Sequence, residues 1–259
     1  MQKRVLGKTG IEVSRMGLGT VKFGRNQGVK YPGTFQLPSD QEIQRILSLA
    51  AELGINLLDT APAYGVSEER IGKLLPGKRD DWVIATKAGE TFCDGESRYD
   101  FSPAAITQSI ERSLQRLRSD YLDIVLVHSN GEDERIVREE NVFATLSALK
   151  SQGKIRAFGM STKTVCGGLL TVDHADVAMV TYHSECREDQ EVIRYAQQKQ
   201  KGIFIKKAFE SGHLSRPIAE CLQFVLAEQG VTSVIVGTIN EEHLKENANF
   251  LISALLPNM

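Results

Sequence analysis

The chain has 259 residues, 41% of them hydrophobic and 25% charged, with a formal net charge of -2 at pH 7. That balance supports a buried core and gives no electrostatic case for a nucleic acid or anionic membrane partner. Four cysteines without CxxC spacing suit reduced thiols better than a disulfide frame or zinc site, and MQKRVLGKTG lacks the apolar centre of a signal peptide, so the reading is a cytoplasmic protein acting on small molecules.

In chain order, KRVLGKTGIEVSR reads as a short N-terminal hairpin turning at Lys8 to Gly10, a plug for the bottom of a barrel. RMGLGT (Arg15 to Thr20) is the first candidate strand. DQEIQRILSLAAELG follows as a helix, capped by Ser39 or Asp40, closed at Gly54, with Ile43, Ile46, Leu47, Ala50 and Leu53 on one face. INLLDT (Ile55 to Thr60) and WVIATK (Trp82 to Lys87) are the next strands. Ser102 and Pro103 open a second helix whose Ile106, Ile110, Leu114 and Leu117 form a stripe. Five more strand-like runs follow: LDIVLVH (Leu122 to His128), IRAFGMST (Ile155 to Thr162), ADVAMVTYH (Ala175 to His183), GIFIKK (Gly202 to Lys207) and TSVIVGT (Thr232 to Thr238). Eight near-continuous apolar strands alternating with helices predict an α/β chain folded as a (β/α)8 TIM barrel, one domain over residues 1–259. An open doubly wound sheet is the rival, weakened because no GxGxxG follows the first strand.

In such a barrel, chemistry gathers at the C-terminal strand ends. Asp59 ends the second strand, Lys87 the third and His128 the fourth, and Tyr64 lies on the loop behind Pro62. Each alone has a bland explanation, such as a helix cap, a solvated strand end or a half-buried packer. Four on consecutive strand ends suggest one job. A nearby cation lowers a phenol's pKa, a carboxylate keeps a half-buried lysine charged, and an imidazole orients a substrate oxygen. The set suits proton transfer to or from a carbonyl or alcohol oxygen. His174, His183 and His213 show no metal-ligand spacing, so no metal is expected.

The sequence resembles the aldo-keto reductases along nearly its whole length, through LGKTGIEVSRMGLGT, LLDTAPAYG, VIATK, LDIVLVH, GKIRAFGMST and VIVGTINEEHLKEN in that order. The resemblance implies a nicotinamide cofactor bound without a Rossmann fold and a tetrad of Asp59, Tyr64, Lys87 and His128. It assigns Tyr64 as general acid toward a small-molecule carbonyl substrate, with hydride delivered by the cofactor. It also implies cofactor contacts at Gly19, Thr20, Ser161, Thr162, Lys206, Ser211, Gly212, Leu214, Gly237, Thr238, Asn240, His243, Glu246 and Asn247.

Several of these depart from the family pattern. Thr162 stands where asparagine is usual, Met179 about where a carboxamide-binding glutamine is expected, and Lys206 or Lys207 replaces an aromatic residue that stacks on the nicotinamide. His243 stands where an arginine commonly meets the 2'-phosphate, and histidine is mostly neutral at pH 7, so NADP(H) ranks ahead of NAD(H) by a reduced margin. The chain stops at LLPNM, leaving Phe23 to Asp40 and Ala88 to Phe101 to shape the substrate pocket. An NAD(P)H-dependent aldehyde or ketone reductase is therefore the favoured reading. A catalytically weak nicotinamide-binding regulatory or sensor barrel and a Schiff-base aldolase through Lys87 compete with it.

Overall fold

The computed structural model describes residues 1–31, 33–213 and 216–254. The chain opens with two short antiparallel strands, β1 (Lys3–Val5) and β2 (Glu12–Ser14). In the turn between them the Thr9 N–H and hydroxyl both donate to the Leu6 carbonyl, at 3.1 and 2.7 Å. Gly7 there has φ +54° and lies against Gln200 to Gly202, so that a Cβ would stand 2.7 Å from the Gln200 carbonyl oxygen. Leu6, Ile11 and Val13 leave this hairpin and pack among Leu57, Val83, Ile124 and Phe204 at the barrel axis. The hairpin is the plug the sequence suggests.

The strands continue as β3 (Met16–Gly19), β4 (Leu57–Asp59) and β5 (Val83–Ala88), a second hairpin of β6 (Glu90–Cys93) and β7 (Glu96–Tyr99), then β8 (Leu122–His128), β9 (Ile155–Ser161), β10 (Val177–Thr181), β11 (Gly202–Lys206) and β12 (Ser233–Val236). Eight of them close into one parallel barrel in the order β3-β4-β5-β8-β9-β10-β11-β12, with β12 pairing back to β3. Around it run α1 (Val21–Gly24), α2 (Asp40–Glu52), α3 (Ser67–Leu74), α4 (Pro103–Leu117), α5 (Asp133–Glu139), α6 (Val142–Ser151), α7 (Val165–His174), α8 (Gln190–Lys199), α9 (Ile218–Leu226) and α10 (Glu241–Ala254). No described helix is long and apolar enough to cross a membrane.

Local chemistry explains the helix ends. Ser39 caps α2 in a reciprocal box with Glu42: its hydroxyl accepts the Glu42 N–H at 3.3 Å while Glu42 Oε2 accepts the Ser39 N–H at 2.7 Å. Ile43, Ile46, Leu47 and Ala50 bury the inner face, and Gly54 at φ +76° ends the run. Ser102 caps α4 with Pro103 at its first position, as the sequence indicates.

One expectation needs correction. The candidate strands are trimmed at their ends, INLLDT to Leu57–Asp59 and ADVAMVTYH to Val177–Thr181, because the outer residues bond to loops and helix ends; the Ile55 N–H, for example, goes to the Ala50 carbonyl at 2.9 Å. The segment from Ala88 to Phe101 holds the β6–β7 hairpin, turning at Asp94 and Gly95, whose φ values of 55° and 84° suit a twisted two-residue turn.

Candidate active site

Side chains on a strand alternate between two faces, so each barrel strand points every second residue at the axis. On β4 Leu57 faces the axis and Leu58 the helices, which returns Asp59 to the axis at the strand's end. Val83 and Ala85 on β5 put Lys87 inward by the same count, Ile124 and Leu126 on β8 do so for His128, Ala157 on β9 for Ser161, and Phe204 on β11 for Lys206. The polar residues at the C-terminal ends therefore form the layer above an apolar plug. Tyr64 arrives from outside the strands, at the end of a single 3-10 turn, Pro62–Tyr64. Gly65 then reverses the chain at φ +61°, where a Cβ would meet the Gly24 carbonyl oxygen at 2.2 Å.

These residues line one cleft of about 920 Å³. Lys87 Nζ donates to Asp59 Oδ1 at 2.6 Å and to the Thr60 carbonyl at 3.0 Å, and it stands 4.7 Å from the centre of the Tyr64 ring. Lys87 is 2% exposed and Asp59 5%, so this ion pair is screened from water. The His128 ring lies edge-on to Tyr64 with centroids 6.2 Å apart. The structure thus brings Asp59, Tyr64, Lys87 and His128 together.

Their protonation follows from the surroundings. Burial pulls the Lys87 ammonium toward neutrality, but Asp59 and Tyr64 outweigh it and hold its pKa above that of an ordinary lysine. Burial raises the Tyr64 phenol, and Lys87 lowers it by less. The expected lowering of the phenol by Lys87 is therefore present without prevailing, and Tyr64 stays protonated.

Glu90 was not anticipated from the sequence. It opens β6, is buried, and its Oε2 lies 2.5 Å from His128 Nδ1 while Oε1 accepts the Ser97 hydroxyl at 2.6 Å. Burial pushes the Glu90 carboxyl up, but contacts with His128, Ser97 and Arg25 hold it well below the usual carboxylate range. Burial also lowers the His128 pKa, with Glu90 pulling the other way. A neutral imidazole facing an ionised carboxylate carries its proton on Nδ1, which leaves Nε2 as an acceptor toward the cleft. A hairpin signal was legible, since Asp94–Gly95 sits between alternating residues, but nothing in the spacing tied Glu90 to His128.

Among the residues expected to hold the cofactor, Gly19, Thr20, Ser161, Thr162, Lys206, Ser211, Gly212 and Gly237 line the cleft. The Thr20 hydroxyl is already spent on the Asp59 carbonyl at 2.9 Å. Lys206 Nζ donates to Ser161 Oγ at 2.9 Å and to the Thr162 carbonyl at 2.6 Å, and the Thr162 N–H goes to the Met179 carbonyl at 3.0 Å. Burial first, and Lys207 after it, push Lys206 down to about 7. Leu214 lies outside the described residues.

Thr238, Asn240, His243, Glu246 and Asn247 stand apart from the cleft wall. Asn240 Oδ1 accepts the Glu242 and His243 N–H groups at 2.9 and 3.1 Å, and Thr238 Oγ1 accepts the Asn240 N–H at 3.1 Å, so both side chains serve the start of α10. His243 and Glu246 are exposed on that helix. Asn247 Oδ1 is buried with no partner among the described residues.

Two features fit a dinucleotide. The loop after β11 holds Lys207, Glu210 and Ser211 at φ of 57°, 49° and 61°, a left-handed conformation that costs of order 1–3 kcal/mol per non-glycine residue, and Ser211 and Gly212 there line the cleft. The Asn247 oxygen offers a buried acceptor for a base amino group.

Comparison with known proteins agrees in outline. The model of the aldo/keto reductase family matches residues 15–218. An uncharacterized oxidoreductase of Bacillus subtilis (strain 168), YqkF, is 28% identical over 95% of this chain and 90% of its own length. An NADH-specific methylglyoxal reductase of Escherichia coli (strain K12) is 38% identical over 61% of this chain and 51% of its own. Among solved structures, PA4992 of Pseudomonas aeruginosa, provisionally named an aldo-keto reductase, superposes with a TM-score of 0.91 at 48% identity, covering 98% of this chain and 95% of that one.

Proposed function

The chain belongs to the aldo/keto reductase family, oxidoreductases that use a nicotinamide cofactor on small-molecule carbonyls, and we propose that it reduces aldehydes or ketones to alcohols with Tyr64 as the general acid. The observation that carries this reading is the buried Lys87–Asp59 pair, 2.6 Å long, set beneath the Tyr64 ring at the floor of the cleft. When bound, the dihydronicotinamide supplies the hydride. The protein's part is alignment and proton supply. Tyr64, kept protonated by burial, gives its proton to the carbonyl oxygen as charge develops there. Lys87, kept charged by Asp59, stabilises the phenolate left behind. Glu90 fixes the His128 ring, whose Nε2 then accepts from a hydroxyl beside the reacting carbon or, in the protonated ring, donates to the reacting oxygen itself. This refines the orienting role expected of His128.

Ser161, the strained loop of Ser211 and Gly212, and Gly237 would hold the cofactor, with His243 near its 2'-phosphate. On that basis NADPH binds better than NADH by a modest margin, because an imidazole replaces a permanent guanidinium fork.

The test is purified protein with NADPH and a panel of aldehydes and ketones, following loss of dihydronicotinamide absorbance, beside Tyr64→Phe. The reading expects turnover by the wild type and a loss of about 100- to 10,000-fold in the variant, with cofactor affinity retained. Undiminished turnover in Tyr64→Phe contradicts the proton-donor assignment. The sensor-barrel reading has one observation in its favour, the Lys206–Ser161 bond that occupies a hydroxyl expected to contact the cofactor. It would prevail if the protein bound NADPH and reduced nothing in the panel.

A further inference from the structure

The barrel mouth holds a basic side chain that its reaction does not use. Lys87 is answered by Asp59, and His128 by Glu90, whose other oxygen takes the Ser97 hydroxyl. Lys206 is different. It lies in the same inward layer, and its ammonium is anchored to two neutral oxygens, Ser161 Oγ and the Thr162 carbonyl, with no carboxylate partner among the described residues.

Its position relative to the reacting groups follows from strand register. Ser161 on β9 pairs with His128 on β8, and neighbouring strands stand about 4.8 Å apart. The ammonium bonded to Ser161 is therefore beside the imidazole that, with Tyr64, faces the substrate oxygen. Any ring that passes hydride to a carbonyl carbon held there must lie alongside it. A dihydronicotinamide ring is neutral and becomes a cation when it gives up hydride. A lysine in that place does not treat the two forms alike.

We propose that Lys206 discriminates between the redox states of the cofactor, disfavouring the cationic oxidised ring and so holding NADPH more tightly than NADP+. This rests on the cofactor-dependent reading given above. Two unit charges about 7 Å apart at an effective dielectric of about 20 repel enough to change binding by between ten- and a hundredfold. The anchoring bonds matter to that figure, because a lysine free to swing into solvent would relieve the repulsion. Discrimination of this kind promotes departure of the spent cofactor, which suits a reductase.

Burial sets a pH dependence as well. Burial brings the Lys206 pKa to about 7, with Lys207 next to it in the chain, Lys87 on β5, Asp133 on α5, Asp189 before α8 and His128 on β8 the charged or titratable groups that face it. The preference for the reduced form therefore widens from pH 8 to pH 6.

The experiment measures dissociation constants for NADPH and NADP+ by calorimetry at pH 6 and pH 8, for the wild type, Lys206→Met and Lys206→Arg. The expected result is a wild-type ratio of tenfold or more at pH 6 that narrows at pH 8, a ratio near one in Lys206→Met arising from tighter NADP+ binding, and a ratio retained at both pH values in Lys206→Arg. A wild-type ratio near one at pH 6, or a large ratio that survives in Lys206→Met, overturns the proposal. If Lys206→Met does not fold, the wild-type pH dependence decides, and a large ratio unchanged between pH 6 and pH 8 overturns it. Should the wild type bind neither form, the cofactor-dependent reading falls and this inference with it; carbonyl turnover together with equal binding of the two forms removes the inference alone.

Discussion

Asp59→Asn removes one charge from a buried pair and leaves the side chain's size unchanged. Lys87 then keeps the Thr60 carbonyl at 3.0 Å and loses the only carboxylate within hydrogen-bonding distance of it among the described residues. Breaking a buried ion pair by deleting one partner costs about 3–5 kcal/mol, because the surviving charge is stranded. At about 2–4 °C per kcal/mol for a chain near this size, the melting temperature falls by roughly 6–20 °C. The pH dependence also changes sign. In the wild type the Lys87 pKa is raised, so its contribution is fully present below the ordinary lysine value of 10.5 and is lost as pH climbs through the folded-state value. In Asp59→Asn burial acts unopposed by a carboxylate and depresses the Lys87 pKa, so the variant gains stability as pH rises toward 10.5. Thermal unfolding followed by circular dichroism from pH 7 to 10, on Asp59→Asn, Lys87→Met and the double variant, checks this. The two charges are coupled, so the double variant should lose less than the sum of the singles. A shift under 2 °C, or strict additivity, would refute the claim that the pair is the structural base of the site.

Two further outcomes follow from the geometry. Glu90→Gln, at a carboxyl 2.5 Å from His128 Nδ1, releases the imidazole orientation and should lower kcat about tenfold with cofactor affinity unchanged; an unchanged kcat would leave Glu90 as a mere hairpin anchor. His243→Arg should tighten NADPH by about tenfold and leave NADH alone, since a charged hydrogen bond contributes about 1.5–3 kcal/mol; equal binding of NADPH before and after would move the phosphate site elsewhere, with Lys207 the next candidate.

Much of the site was legible because strand alternation carries phase. Once Leu57, Val83 and Ile124 are placed inward, Asp59, Lys87 and His128 must follow them, and Pro62 with Gly65 brings Tyr64 over the same rim. The hidden parts depend on contacts between elements distant in sequence. Glu90 meets His128 across 38 positions, and no local pattern announces a carboxylate on a hairpin arm turning toward an imidazole. The balance of burial against Lys87 at Tyr64 was likewise hidden, because burial belongs to the assembled barrel. At α10 the sequence carries two signals at once: Thr238 and Asn240 match a nucleotide-binding pattern, and in the fold their side chains also serve the start of the helix.

The proposed hydride transfer to a carbonyl carbon, aided by a proton from Tyr64, leaves an isotopic trace. The direct measurement uses NADPH deuterated at C4 on the transferring face and mass spectrometry of the alcohol formed from a turned-over aldehyde. The wild-type product should carry one deuterium on the carbinol carbon, with the rate of its appearance falling about 100-fold or more in Tyr64→Phe. Product without deuterium, or label arriving at an undiminished rate in Tyr64→Phe, would contradict it.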